Sequence, residues 1–230
     1  MELTALQMAA IPLPLILAIV FHEVSHGAVA RLLGDPTAHA AGRLTLNPLR
    51  HVDPVGTLLV PGFLALVHAP VFGWARPVPV NKRRLNHPRR DMMLVAAAGP
   101  GSNLVLAALS AVLFGLLARF LPEEGGGVSE FAALSLTLFI QFNVFLALFN
   151  LLPVPPFDGS HIVEGLLPPP AARVYARARP FSLGLMFLIL LGVPYVFPDW
   201  NIVERVVVPP FLWVMEQFFA LAQAVAGLSG

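Results

Sequence analysis

Cysteine is absent from the 230 residues, which excludes disulfides and thiolate ligands and leaves histidines and carboxylates to hold any metal. Charge is almost as scarce. Only 12% of the residues are Asp, Glu, Lys or Arg and 57% are hydrophobic, against roughly 25% charged in an ordinary soluble domain. So few charges cannot coat a soluble globule of this size, and the chain reads as an all-α polytopic membrane protein in contact with the lipid bilayer. A formal charge of +1 gives no ground for a nucleic-acid partner. Residues 1–20 contain neither a basic leader nor a small-residue cleavage site, so no removable signal peptide is expected. No internal repeat, GxGxxG fingerprint or P-loop is present, which removes the nucleotide-cofactor enzymes. The linkers are too short for a soluble recognition module, so a single transmembrane domain over 1–230 is expected.

Four apolar stretches, 9–33, 92–118, 131–152 and 181–198, suffice to cross a hydrocarbon core of about 30 Å, and 206–227 makes a fifth. In that fifth stretch Pro209 and Pro210 stand near the start, and Glu216 is expected to face protein or the interface. The apolar stretch 55–74 is interrupted by Pro61, Gly62, His68, Pro70 and Gly73, which a straight spanning helix would not tolerate well. Charge placement bears on its course. If it does not cross, twelve of the fourteen basic residues lie on one side, with only Arg119 and Arg205 on the other; if it crosses, they divide nine to five. The positive-inside rule therefore favours a re-entrant or embedded hairpin at about 55–74, with a sixth span as the alternative. Five crossings place the N-terminus outside and the basic face in the cytoplasm. Loop 75–91, rich in proline and arginine, reads as a topology anchor at the headgroups, with a substrate or lipid-head contact as the other reading.

The segment FHEVSHG, residues 21–27, carries the chemistry. On a helix His22 and His26 project from one face a turn apart, a spacing that lets two imidazoles hold one zinc, with Glu23 placed to take a proton from water. Ionisable groups within a span are costly and are kept with partners or for function. A catalytic zinc takes three protein ligands and an open position. The strongest third candidate is Asp158 in NLLPVPPFDGSH, residues 150–161, where Pro153, Pro155 and Pro156 stiffen the chain and Gly159 permits an unusual turn.

HEVSH, AAAGPGSN at 96–103 and NLLPVPPFDG at 150–159 together resemble the site-2 protease family of intramembrane zinc metalloproteases. The likeness covers about 9–165. It implies a three-helix catalytic core, one Zn2+ per chain held by His22, His26 and Asp158, Glu23 as general base, and Asn150 near the substrate carbonyl. It also implies a single crossing between the two ligand-bearing helices, which agrees with the charge count. Phe157 stands where the family usually has leucine or methionine, an exchange expected to alter packing and leave ligation intact. The family's role further implies membrane-spanning protein or peptide substrates.

Several residues keep two readings. Asn103 is expected to bond across a helix interface, with substrate contact as the alternative. His51 and Asp53 either form a satisfied loop pair or bound the mouth of the site. His161 either caps its loop or reaches a group behind the ligands or a substrate carboxylate. Asn143 reads as interhelical glue. The functional expectation is a zinc-dependent intramembrane endopeptidase of a prokaryotic inner or plasma membrane, its site toward the cytoplasm. Its rival is a non-proteolytic zinc-binding membrane protein or metal carrier. No residue pattern sets an oligomeric state.

Overall fold

The computed structural model describes residues 5–66, 75–120, 127–177, 179–188, 192–197, 200 and 203–227. These form eleven α-helices and no strand: α1 (Ala5–Ala10), α2 (Pro12–Leu32), α3 (Thr37–Ala40), α4 (Val60–Leu66), α5 (Pro88–Phe120), α6 (Val128–Asn150), α7 (Gly159–Leu166), α8 (Pro169–Ala176), α9 (Ser182–Phe187), α10 (Val193–Val196) and α11 (Val208–Ala226). Four helical stretches are long and apolar enough to span a membrane: Met8–Leu32, Pro88–Arg119, Val128–Asn150 and Val203–Ala226. They match four of the five expected spans to within a few residues. Of the fifth, 181–198, the described parts include α9 and α10, and residues 189–191 and 198 lie outside the described residues. The expected hairpin at 55–74 begins as a π-helical turn, Pro54–Leu59, that runs into α4. Its second half, 67–74, lies outside the described residues.

α5 shows how these sequences sort their faces. Asn103, Ala107, Ala111 and Gly115 are buried at four-residue spacing, whereas Val105, Leu109, Leu113 and Leu116 are exposed. Small and polar groups thus face the other helices while bulky apolar ones face outward, the pattern expected where lipid is the solvent and close backbone approach drives association. On the inward face Ala107 and Ala111 pack with Ile140 and Val144 of α6 and Met215 and Ala222 of α11. Gly115 leaves no room for a side chain against the Ala222 carbonyl. α5 also packs along α2 and α7.

Beyond α2 the chain turns at Gly34, whose φ of 103° lies in the left-handed region that glycine tolerates. Asp35 is wholly buried and accepts from the Thr37 amide (3.0 Å) and the Asn81 amide (2.5 Å). Its carboxyl is held below the usual range: burial opposes ionisation, but the Thr37 and Asn81 donors outweigh it. A further bond joins the Asn86 amide to the Leu33 carbonyl (2.9 Å). The basic loop is thereby folded against the end of α2. Val78 of that loop is buried beside Gly27, where a Cβ would stand 2.5 Å from Leu44 Cδ2, 2.7 Å from Val78 Cγ1 and 3.0 Å from Ala38 Cβ.

Gly27→Ala is expected to lower stability by about 1 kcal/mol or more through overpacking. Gly62→Ala, which would meet nothing within 4 Å among the described residues, should stay within about 0.5 kcal/mol of the parent. Thermal unfolding in one detergent checks the pair.

Candidate metal centre

His22 and His26 lie one turn apart on α2, their rings edge to face with centroids 4.6 Å apart. Each Nδ1 has a fixed partner. The Nδ1 of His26 lies 2.7 Å from the Val95 carbonyl of α5, which can only accept, so this nitrogen carries the proton. The Nδ1 of His22 lies 2.6 Å from Oδ1 of Asn103. The Asn103 amide nitrogen already donates to the Ala18 carbonyl (3.2 Å) and to Asn143 Oδ1 (2.7 Å), and Asn143 in turn donates to the Phe139 carbonyl (2.8 Å). Oδ1 of Asn103 is therefore an acceptor and the His22 Nδ1 the donor. A buried chain of amides across α6, α5 and α2 sets the tautomer.

With both Nδ1 atoms protonated, both Nε2 atoms present lone pairs, and they face each other at 3.0 Å. Oδ2 of Asp158 stands 3.2 Å from each of them and is buried without a hydrogen-bond donor among the described residues. With both imidazoles neutral, three acceptors converge, an arrangement that is repulsive unless a proton or a metal ion lies among them. Their separations approach the roughly 3.4 Å edge of a tetrahedron whose ligands lie about 2.1 Å from zinc. The donor set of two imidazoles and a carboxylate therefore fits that ion. Among the described residues it is the one cluster of metal-ligating type.

Asp158 reaches this point because the turn before it is anchored. Phe157 is buried with Leu152, Met186 and Val207, its ring edge-on to Phe149 at 4.6 Å. The Tyr175 hydroxyl donates to the Pro153 carbonyl (2.6 Å). Gly159 sits too close to the Leu151 and Leu152 carbonyls to carry a side chain. Gly99 of α5 leaves space for the imidazoles, since a Cβ there would stand 2.5 Å from His26 Nε2 and 2.6 Å from His22 Cε1.

Glu23, the residue after His22, accepts the Val78 amide of the basic loop at 2.8 Å. Asn150 ends α6 with its amide donating to the Leu146 carbonyl one turn back (2.9 Å). His51 and Asp53 do not bond each other: the His51 Nε2 donates to the Thr45 carbonyl (2.9 Å), and Asp53 caps the following turn through the Val55 and Gly56 amides. His161 lies against the Arg179 guanidinium, with Nη2 2.8 Å from Nδ1. Burial first, and the Arg179 charge second, push its pKa down to about 4. Arg179 also pairs with Glu164, which holds Lys82 at 2.9 Å. The role of Asn103 as acceptor for His22 was not foreseen. Its signal was the polar residue four positions after Gly99 on an otherwise small and apolar helix face.

The model of peptidase family M50 matches residues 123–193. "Putative zinc metalloprotease YwhC" of Bacillus subtilis (strain 168) is 42% identical over 180 residues, 78% of this chain and 78% of that protein. Proteins named "Putative zinc metalloprotease Rip2" also match. That of Mycobacterium tuberculosis (strain H37Rv) is 33% identical over 189 residues, 80% of this chain and 67% of that protein; that of Mycolicibacterium smegmatis is 32% identical over 181 residues, 78% and 65%. No solved structure matches.

Gly99→Ala is expected to abolish stoichiometric zinc in the purified protein by driving a methyl group into both imidazoles. Gly101→Ala, which would meet nothing within 4 Å among the described residues, should retain the zinc. Elemental analysis of the two variants after identical purification checks this.

Proposed function

This chain belongs to peptidase family M50, the site-2 protease family of zinc metalloproteases, and from that premise we propose that it is an intramembrane endopeptidase. Its substrates are membrane-spanning proteins or peptides, cut in or near their spans. His22, His26 and Asp158 hold one zinc per chain, Glu23 is the general base, and Asn150 binds the substrate carbonyl. The observation that carries this reading is the convergence of three lone pairs beside a glutamate inside an apolar helix.

A bound zinc ion supplies Lewis acidity, acidifying water and polarising a peptide carbonyl. Glu23 takes the proton from the attacking water and later returns it to the leaving amine. The Val78 amide holds one oxygen of Glu23 and so limits the directions in which the carboxylate can reach. Asn150 turns its amide from the Leu146 carbonyl toward the oxyanion as substrate binds. The Asn143–Asn103 chain and the Val95 carbonyl keep the lone pairs of both imidazoles directed at one point.

The position of the histidines along α2 supports intramembrane action. His26 and His22 lie six and ten residues before Leu32, the end of α2, hence about 9 and 15 Å along the helix from its end. That end and the prolines of 153–156 open on the side bearing most of the arginines, which the positive-inside rule places in the cytoplasm of a prokaryotic cell membrane. The whole chain then forms one transmembrane domain, with the catalytic core over about 9–165 and further spans at 181–198 and 206–227.

Glu23→Gln should retain zinc and lower cleavage of a single-span substrate in liposomes by about 10²- to 10⁴-fold, the range for a general base. Zinc retained with undiminished cleavage would contradict the assignment of Glu23.

A further inference from the structure

A cluster of cations lies against the segment that holds Glu23. Arg43 is 8% exposed, donates from Nη2 to the Arg76 carbonyl (2.7 Å), and has a buried Nε without a hydrogen-bond partner among the described residues. Arg50 and Arg76, both exposed, line the same cleft of roughly 430 Å³ together with Leu49, Pro77 and Pro79. Among the described residues, none that lines the cleft is acidic. Burial pushes the Arg43 guanidinium pKa down and the Arg76 and Arg50 charges add to this; the Glu23 charge opposes it, although Glu23 is itself engaged by the Val78 amide. Three guanidiniums that share a cleft without a carboxylate repel one another, and a buried donor left unmade is costly. An anion in the cleft relieves both penalties.

The position of the cleft selects among anions. Pro77 and Pro79 in its wall flank Val78, whose amide holds Glu23. The cleft is thus walled by the two neighbours of the residue whose amide engages the proposed base, near where a peptide chain must lie to be cut. The guanidinium fork matches a carboxylate in geometry as well as charge.

We propose that Arg43, Arg50 and Arg76 form a specificity subsite for an aspartate or glutamate side chain in the extended segment of the substrate that flanks the bond to be cut. The inference rests on the protease reading above and names the substrate class for that site: spans with an acidic flank on the side of the basic loop. The subsite acts in binding and steering, so it is expected in KM more than in kcat.

The test uses the full zinc-loaded chain in zwitterionic liposomes with three matched single-span substrates whose flank is acidic, neutral or lysine-bearing. The intact chain should show kcat/KM about tenfold higher for the acidic than for the lysine-bearing flank, carried by KM. The exposed pair changed together, Arg50→Glu with Arg76→Glu, should reverse that order, with zinc content and melting temperature confirming the fold. Arg43→Gln supplements this where it folds. Equal turnover of all three substrates by the intact chain, or an unchanged order in the double variant, overturns the subsite and leaves the protease reading standing. Cleavage of none of the three brings down the protease reading and the subsite with it. A loss in the double variant that is equal for all three substrates and follows the anionic-lipid content of the vesicles assigns the cleft to a headgroup and overturns the proposal.

Discussion

Two protons, one on each imidazole Nδ1, determine what this structure can do. Because they are donated to the Val95 carbonyl and to Asn103, the opposite nitrogens of His22 and His26 offer lone pairs when the rings are neutral, and Asp158 completes a set of three acceptors. Had Asn103 presented its amide nitrogen instead, His22 would have to carry its proton on Nε2 and the convergence would fail. That orientation depends on Ala18 of α2 and Asn143 of α6. The packing of three helices is thus transmitted to one ring nitrogen.

The same constraint explains α5. A helix that must bring a carbonyl to one histidine and an amide to the other, while leaving room for both rings, needs a small face. It has one, with Gly99 under the imidazoles and Ala107, Ala111 and Gly115 further along against α6 and α11. Val105, Leu109, Leu113 and Leu116 turn outward instead, because the bilayer rather than a protein core is their solvent. On the far side of the three acceptors, Phe157 and Tyr175 hold the proline turn in place, so Asp158 is positioned by an aromatic anchor as well as by stiff backbone.

Much of this was legible in the sequence. His22, Glu23 and His26 follow a spacing with a helical meaning, and the proline-rich run before Asp158 marks a carboxylate held outside a regular helix. Four apolar stretches gave the spans of α2, α5, α6 and α11, since length and hydropathy alone decide such helices. What was not legible depends on the backbone. The Val95 carbonyl and the Val78 amide have no side-chain signature, so no reading of residue types could pair them with His26 and Glu23. Asn103 and Asn143 were read as interhelical bonds, which they are; that their chain ends on His22 required knowing that α2 and α5 approach at those levels. Arg43 was read only as one of many basic residues on the cytoplasmic side. Its burial against the Arg76 carbonyl depends on how the loop folds back beneath α2.

The most direct measurement is X-ray absorption at the zinc edge on the purified chain, compared with variants lacking His22 and His26 one at a time. The account predicts a shell of nitrogen and oxygen only, at about 2.0–2.1 Å, with two imidazoles in the outer-shell scattering of the intact chain. Each single variant should show one imidazole or no bound zinc. An intact chain purified without zinc, or an imidazole signal unchanged by loss of His22 or His26, would contradict the claim that these facing lone pairs are a metal centre.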